Sequence, residues 1–363
     1  MKNTYGSSVS ITLFGESHGK AIGAVLDGMA PGVPVNESFI EKQMQRRRSI
    51  SSLSTPRREA DRVQIVSGVV NGYTTGTPIT FLIENSDTHS SDYCELSEIA
   101  RPGHADYTAF CKYHGFADTR GGGHFSGRIT AGLVAAGAVA LTALKQKGIQ
   151  IATHISACAG IQDRNFENFD EDFKLLDDLE FGVLDEKQSQ RMQEAILQAK
   201  SDGDSVGGIL ETVVLGFPEG VGEPRFDRLE SVLSHAIFSI PAVKGVEFGD
   251  GFALSALRGS VANDAFHVTS NKIVTKTIHC GGILGGISNG MPIVFKTAIK
   301  PTPSIFKEQN TVNFKTGENT VFSLKGRHDP AIVHRARVVL DSVAAIVLCD
   351  QLALRFGTDY LGG

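Results

Sequence analysis

Histidine and glycine together mark the first stretches of this sequence that could do chemistry. His104 lies in Arg101-Pro-Gly-His-Ala-Asp-Tyr-Thr108 and His124 in Arg120-Gly-Gly-Gly-His-Phe-Ser-Gly-Arg128, with His114 between them. A triple-glycine loop that runs into a helix start presents backbone N–H groups to an anion, and the helix dipole adds attraction. Glycines also serve plain turns, but Arg120, Arg128 and a neighbouring histidine point to a phosphate or flavin site. Gly15-Glu-Ser-His-Gly19 spells the pattern G-x-S-x-G. A nucleophile elbow needs strand, sharp turn, then helix, whereas Lys20-Ala-Ile-Gly-Ala-Val-Leu26 continues as a strand. What survives is His18 in a loop between two strands, with Glu16 and Ser17 beside it, a place that serves either function or packing.

Positive charge is concentrated between Lys42 and Arg62, where seven Lys/Arg face only Glu59 and Asp61. Three consecutive arginines, Arg46, Arg47 and Arg48, fit either a small anionic ligand held by bidentate forks or a helix end whose last carbonyls attract cations. Gly281-Gly-Ile-Leu-Gly-Gly286 and Lys300-Pro-Thr-Pro-Ser304 read as a close backbone approach and a rigid polar loop, or as plain turns. In Arg327-His-Asp-Pro330, Asp329 stands where an N-cap precedes a helix-initiating proline. Arg327 and His328 beside it suggest more than a cap.

These residues need elements to position them. Residues 9–14 and 21–26 read as strands, the first alternating through Val9, Ile11 and Leu13. Asn36 or Ser38 caps a helix running to Arg48, with Phe39, Ile40 and Met44 on one face. Residues 63–70 and 78–83 read as strands separated by the turn 71–76. Residues 129–147 form a helix of small apolar residues that packs closely on all sides. Asp185 with Gln188, and Asp227 with Glu230, form capping-box patterns for two more helices. A final helix runs from Pro330 to about Phe356, with Gly357 beyond its end. Gly76-Thr-Pro-Ile-Thr-Phe81 echoes Gly290-Met-Pro-Ile-Val-Phe295, which a duplicated strand unit would explain. There is no steady β-α-β-α rhythm, so the expectation is one α+β domain over 1–363, built as a layered sandwich and not as a Rossmann sheet.

The whole-chain composition bounds the classes. At 363 residues and 41% apolar content the chain can bury a large core without disulfides or metals, and wholesale disorder is excluded. A net charge of −5 argues against general nucleic-acid binding. The ten acids between Asp163 and Glu186 read as a solvated surface segment. Five scattered cysteines (Cys94, Cys111, Cys158, Cys280, Cys349) lack a C-x-x-C pair, which points to free thiols in a reducing cytoplasm and to no zinc site. The best membrane candidate, 129–144, is short and rich in Ala and Gly, so no membrane span is expected. The first residues run straight into a strand, so no secretory signal is expected either.

In their order along the chain these motifs, together with Val243-Lys-Gly-Val-Glu-Phe-Gly-Asp-Gly-Phe252, resemble those of the chorismate synthase family. The resemblance implies a shikimate-pathway lyase that removes phosphate from 5-enolpyruvylshikimate 3-phosphate by 1,4-anti elimination, giving chorismate. It further implies reduced FMN as cofactor, a β-α-β sandwich and a homotetramer; no obvious extra nicotinamide domain stands in the sequence, so an external reductant, NADPH being one candidate, is expected. By matching positions, His18 and His104 are the two acid groups, Asp329 relays a proton from the flavin, and Ser17 and Ser126 support that relay. His124, Phe125, Ser126, Pro241, Ala242, Gly285, Lys300, Pro301, Thr302, Pro303, Ser304 and Arg327 line the flavin. Arg46, Arg47, Arg48 and Arg128 hold substrate or nucleotide phosphate. The sequence departs from the family at His124-Phe-Ser-Gly-Arg128, where Arg-Ser-Ser-Ala-Arg is usual, at Pro241, where Asn is usual, and in a shortened loop after Arg48. Two other readings are a serine hydrolase built on Ser17 and a non-catalytic binder of phosphate ligands.

Overall fold

The computed structural model describes residues 2–48, 53, 61–85, 98–323 and 329–362. Two five-stranded sheets enclose a layer of helices. The first runs, in spatial order, Thr4–Gly6, Ser10–Gly15, Ala21–Asp27, Ile79–Glu84, Val63–Ser67. The second runs Val243–Phe248, Ile293–Ile299, Gly208–Leu215, Gln150–Cys158, Ile161–Gln162. Every pairing in both sheets is antiparallel. This is the expected α+β sandwich, without parallel βαβ units.

Alternation drives the first sheet. Ile22, Ala24 and Leu26 lie opposite Ile83, Phe81 and Ile79, and all six are fully buried. One face of the sheet thus becomes a continuous apolar surface, as period-two patterning demands. Helix Thr130–Gln146 lies on it and packs against the last helix, Val333–Phe356, which rests on strand Gln150–Cys158 of the second sheet. By length and composition alone Gly127–Gln146 could cross a bilayer, yet it is mostly buried between sheet and helix. Small residues permit that fit. A Cβ on Gly132 would lie 2.9 Å from the Gly23 carbonyl, and one on Gly137 would lie 2.2 Å from Ser342 Cβ.

Local signals hold at several ends and fail at others for identifiable reasons. Asn36 caps helix Glu37–Arg47 through Phe39 N–H, and Asp185 caps helix Glu186–Ser201 through Gln188 N–H. The Asp227–Glu230 box does not form. Helix Leu229–Ile237 starts after Arg228, the Gly286 carbonyl takes the Leu229 N–H, and Glu230 pairs with Arg228 instead. The last helix starts at Val333 rather than Pro330, and Asp329 is not its cap. Its carboxylate turns to Arg335, 2.6 Å away. The turn expected over 71–76 is shorter, because Val69–Val70 pairs with Tyr73–Thr74 and Thr74 bonds to Val33 and Ala30. The acidic segment is not simply solvated. Asp163 accepts from Leu184 N–H and Asp185 N–H and pairs with His154, and Asp172 is buried against Arg164. The echoed hexamers end in strands Ile79–Glu84 and Ile293–Ile299, each second from an edge of its sheet. Cys111, Cys158, Cys280 and Cys349 are free, while Cys94 lies outside the described residues.

Two stability outcomes follow from this packing. Gly→Ala inside a helix ordinarily gains about 1 kcal/mol. Gly137→Ala should instead lose roughly 1–3 kcal/mol in denaturant unfolding, because the methyl meets Ser342 across the helix pair. His334 is buried, and burial together with Arg335 and Arg337 pushes its pKa down to about 3. Below pH 6.5 the unfolded chain takes up a proton that the folded chain refuses. Stability is therefore lost as pH falls from 6.5 toward 3, by up to about 1.4 kcal/mol per pH unit. Urea melts at pH 7.0 and 5.5 should show a smaller acid loss for His334→Gln than for the wild type.

Candidate active site

The loop bearing His18 joins strands Ser10–Gly15 and Ala21–Asp27, and the triple-glycine loop folds against it. Ser17 N–H donates to the Gly123 carbonyl at 3.1 Å. Ser17 Oγ donates to the Arg120 carbonyl at 3.3 Å, since a carbonyl only accepts. The hydroxyl must then accept from His18 Nδ1–H, 3.1 Å away, and this sets the histidine's tautomer. Gly121, at φ +60°, could carry no side chain, because its Cβ would fall 1.9 Å from His18 Cε1. On Gly122, at φ +100°, a Cβ would lie 3.4 Å from the His104 ring and 3.8 Å from Ser126 Cβ. The bare backbone of Gly121 and Gly122 thus separates His18 from His104. The 15–19 motif thus meets the 101–108 and 120–128 motifs, from which it is distant in the chain.

His104 is oriented from behind. Its Nδ1–H faces Asp106 Oδ1 at 2.8 Å, and Arg101 forks the same carboxylate at 2.7 and 2.8 Å. Burial would raise the Asp106 pKa, but the hydrogen bonds from Arg101 and His104 hold it far below the ordinary carboxylate range. The carboxylate therefore stays charged and can only accept, so Nδ1, which also lies 3.1 Å from Arg101 Nη2, carries its proton toward Asp106 at the shorter contact. Lys300 Nζ donates to the Gly103 carbonyl at 2.6 Å, and a Cβ on Gly103 would lie 3.1 Å from Pro303. The 300–304 loop is thereby docked on the His104 loop. Lys300 N–H in turn donates to the carbonyl of Ala242, which sits at φ +72° after Pro241. Within the same loop Thr302 Oγ1 is buried without a hydrogen-bond partner, while the Thr302 carbonyl accepts from Ser205.

The arginines form a second layer. Asp61 lies between Arg47, at 2.5 Å, and Arg128, and all three are buried. Burial would raise the Asp61 pKa, yet the two guanidinium charges lower it; burial also pushes Arg47 down to about 10. Arg128 Nε donates to Asn85 Oδ1 at 3.0 Å, and Asn85 Nδ2 donates to the Glu16 and Gly19 carbonyls on either side of His18. On the other flank Arg335 Nε donates to the Arg47 carbonyl at 3.1 Å while its Nη1 binds Asp329. Asp329 and the His18 loop are thus two ends of one bonded chain. Arg46 pairs with buried Asp341 at 3.0 Å, and half-buried Arg48 ends the helix.

Other expected positions fall differently. Ser17 is fully buried, so no exposed nucleophile exists there and the hydrolase reading is withdrawn. Ser126 Oγ accepts from Arg128 N–H and caps the short turn into the central helix. His124 Nδ1–H is spent on the Gly15 carbonyl at 2.8 Å, and Phe125 stands edge-on to Tyr113, partly exposed. Gly285 is a turn residue at φ +66° in the hairpin of Ile283–Leu284 with Ile287–Ser288. Arg47 and Arg128, expected to grip an anion, have their charge taken up by Asp61. Arg327 and His328 lie outside the described residues. Sequence reading missed Asp61, Asn85, Asp106 and Arg335 as site residues. Asp106, two residues after His104 and five after Arg101, was the one with a local signal.

The family model for chorismate synthase matches residues 9–353. A chorismate synthase of Dehalococcoides mccartyi is 47% identical over 358 residues, covering 98% of each chain. One of Pyrococcus abyssi is 46% identical over 350 residues, covering 96% of this chain and 97% of its own. A crystal structure of chorismate synthase superposes with a TM-score of 0.77 at 28% identity, covering 97% of this chain and 94% of the other. With model, relatives and fold in agreement over nearly its whole length, the chain belongs to the chorismate synthase family of lyases.

Proposed function

We propose that this site converts 5-enolpyruvylshikimate 3-phosphate to chorismate and phosphate by 1,4-anti elimination with reduced FMN. The observation that carries the reading is the pair His18 and His104 on either side of Gly121 and Gly122, each with Nδ1–H committed to a fixed acceptor. An imidazole held in one orientation can serve as a general acid when it carries both protons. Asp329, held by Arg335, supplies a carboxylate that can take a proton while Arg335 balances its charge. Ser17 and Ser126 keep His18 and the turn before Arg128 in place. Among the described residues six arginines (Arg46, Arg47, Arg48, Arg128, Arg335, Arg337) share this layer with Asp61, Asp329 and Asp341, and that density of cations favours a multiply charged anion and stabilises departing phosphate.

The residues present fit a flavin. The unpartnered Thr302 hydroxyl, the side-chain-free glycine backbone and the Phe125 edge together offer a hydrogen bond, a close approach and an apolar contact. Pro241, Ala242, Gly285, Lys300, Pro301, Pro303, Ser304, His124 and Arg327 would complete the binding surface. When bound, reduced FMN supplies electron density for C–O cleavage and an acceptor for the substrate proton. Its reduction is assigned to an external donor such as NADPH. Exposed Phe252, Val261, Phe266, Val268 and Ile273 offer an apolar surface to further copies of the chain, as in a homotetramer. Free thiols suit a cytoplasmic setting.

An anaerobic assay with dithionite-reduced FMN and the enolpyruvyl substrate should yield chorismate and phosphate in equal amounts. Phosphate release without chorismate would overturn the reading. His18→Ala and His104→Ala should each lower turnover by about 10²-fold or more while the protein stays folded. Normal turnover in either variant would remove that histidine from the reaction. Asp329→Asn keeps an acceptor for Arg335 but loses the basic atom, and since Asp329 caps no helix its melting temperature should barely move. Turnover should fall about 10²-fold with FMN binding retained, and an active Asn variant would leave Asp329 as Arg335's partner alone.

A further inference from the structure

We propose that Asn85 is a positioning residue for the reaction, acting through His18; the inference rests on the reading of His18 as an acid. Asn85 ends strand Ile79–Glu84, the neighbour of the strand that follows the His18 loop. Its backbone N–H extends that pairing to the Lys20 carbonyl at 3.2 Å. The side chain then turns under the loop. Nδ2 donates to the Glu16 carbonyl at 3.0 Å and to the Gly19 carbonyl at 2.9 Å, while Oδ1 accepts from Arg128 Nε at 3.0 Å. The amide orientation is fixed by chemistry, because carbonyls only accept and a guanidinium only donates. Both donors therefore grip the two residues that bracket Ser17 and His18, and the acceptor ties them to the guanidinium that Asp61 holds.

One amide thus ties two loop carbonyls to one buried cation. Among the described residues the loop is held in addition by Gly19 N–H on the Glu16 carbonyl, by Ser17 on Gly123 and Arg120, and by the Ser17–His18 bond. Without the amide, the Glu16 and Gly19 carbonyls lose their shared donor group and the loop can shift relative to Arg128. His18 sits against Gly121 with no slack, so a shift of the loop moves the imidazole directly. A displacement of about 1 Å in a reacting group costs on the order of 10²-fold in rate.

The test uses Asn85→Ala and Asn85→Asp in the full chain, assayed anaerobically with reduced FMN and 5-enolpyruvylshikimate 3-phosphate. Asp keeps the acceptor for Arg128 but sets a carboxylate against two carbonyls. Both variants should lose about 10²-fold in kcat, with KM changed less than about threefold and the melting temperature nearly that of the wild type. The decisive measurement is the double variant. Because Asn85 works through His18, adding Asn85→Ala to His18→Ala should cost less than about twofold more. A full additional loss in that background, a wild-type kcat in the single Asn85 variants, or failure of both to fold would overturn the inference. Normal turnover of the single His18→Ala variant would instead bring down the acid reading, and the inference with it.

Discussion

One buried carboxylate holds the arginine layer together. Asp61 stands between Arg47 and Arg128, and without it two guanidiniums would be left in the interior without their counter-charge. Burying ions costs several kcal/mol each, and a pair recovers this only when its hydrogen bonds are well made. Here they are, and the carboxyl is held ionised against the pull of burial. Asp61 also adopts φ +45°, a left-handed backbone that Asp tolerates better than most residues. From this point one line of bonds runs through Arg128 and Asn85 to the His18 loop, and another through Arg47 and Arg335 to Asp329.

The sandwich makes that arrangement possible. Both sheets and both long helices present small or alternating residues to a shared core, so the helix layer is thin and the loops at its rim come close together. The triple-glycine loop uses this closeness most. Three successive glycines at positive φ let the chain pass between His18 and His104; a Cβ on Gly121 would collide with His18 and one on Gly123 with the Asp118 carbonyl, while one on Gly122 would touch the His104 ring. The carbonyls of Arg120 and Gly123 are thereby available to Ser17, so the loop that separates the histidines also sets one of them.

Charge at the site is layered by burial. Arg47, Arg128 and Arg337 are interior and structural in their contacts, with Arg337 donating to the Leu179 carbonyl and lying where any side chain at Gly182 would collide. Their charges still contribute to the field at the site. Buried atoms such as Arg46 Nε, Arg47 Nε, Arg337 Nη1 and Asp341 Oδ1 are the places in this layer where buried water would be expected.

Features that depend on a few neighbouring residues were legible in the amino-acid order. Alternation set the strands around Leu13, Ile22 and Phe81, Asn36 and Asp185 set two helix starts, and the motifs with glycine beside histidine marked both loops of the site. These are local requirements of side-chain period, capping and backbone freedom, and they are legible without partners. Tertiary structure decided what each charged group does. Arg128 meets Asp61 across 67 residues and Arg46 meets Asp341 across 295, so no local pattern could tell an anion clamp from an internal strut. Asp329 looked like a cap because Pro330 follows it, but Arg335, 6 residues on, offers its carboxylate a full charge, and the helix begins later. Asn85 carried no signal at all, since an amide at the end of a strand gains its meaning only from the loop that folds over it.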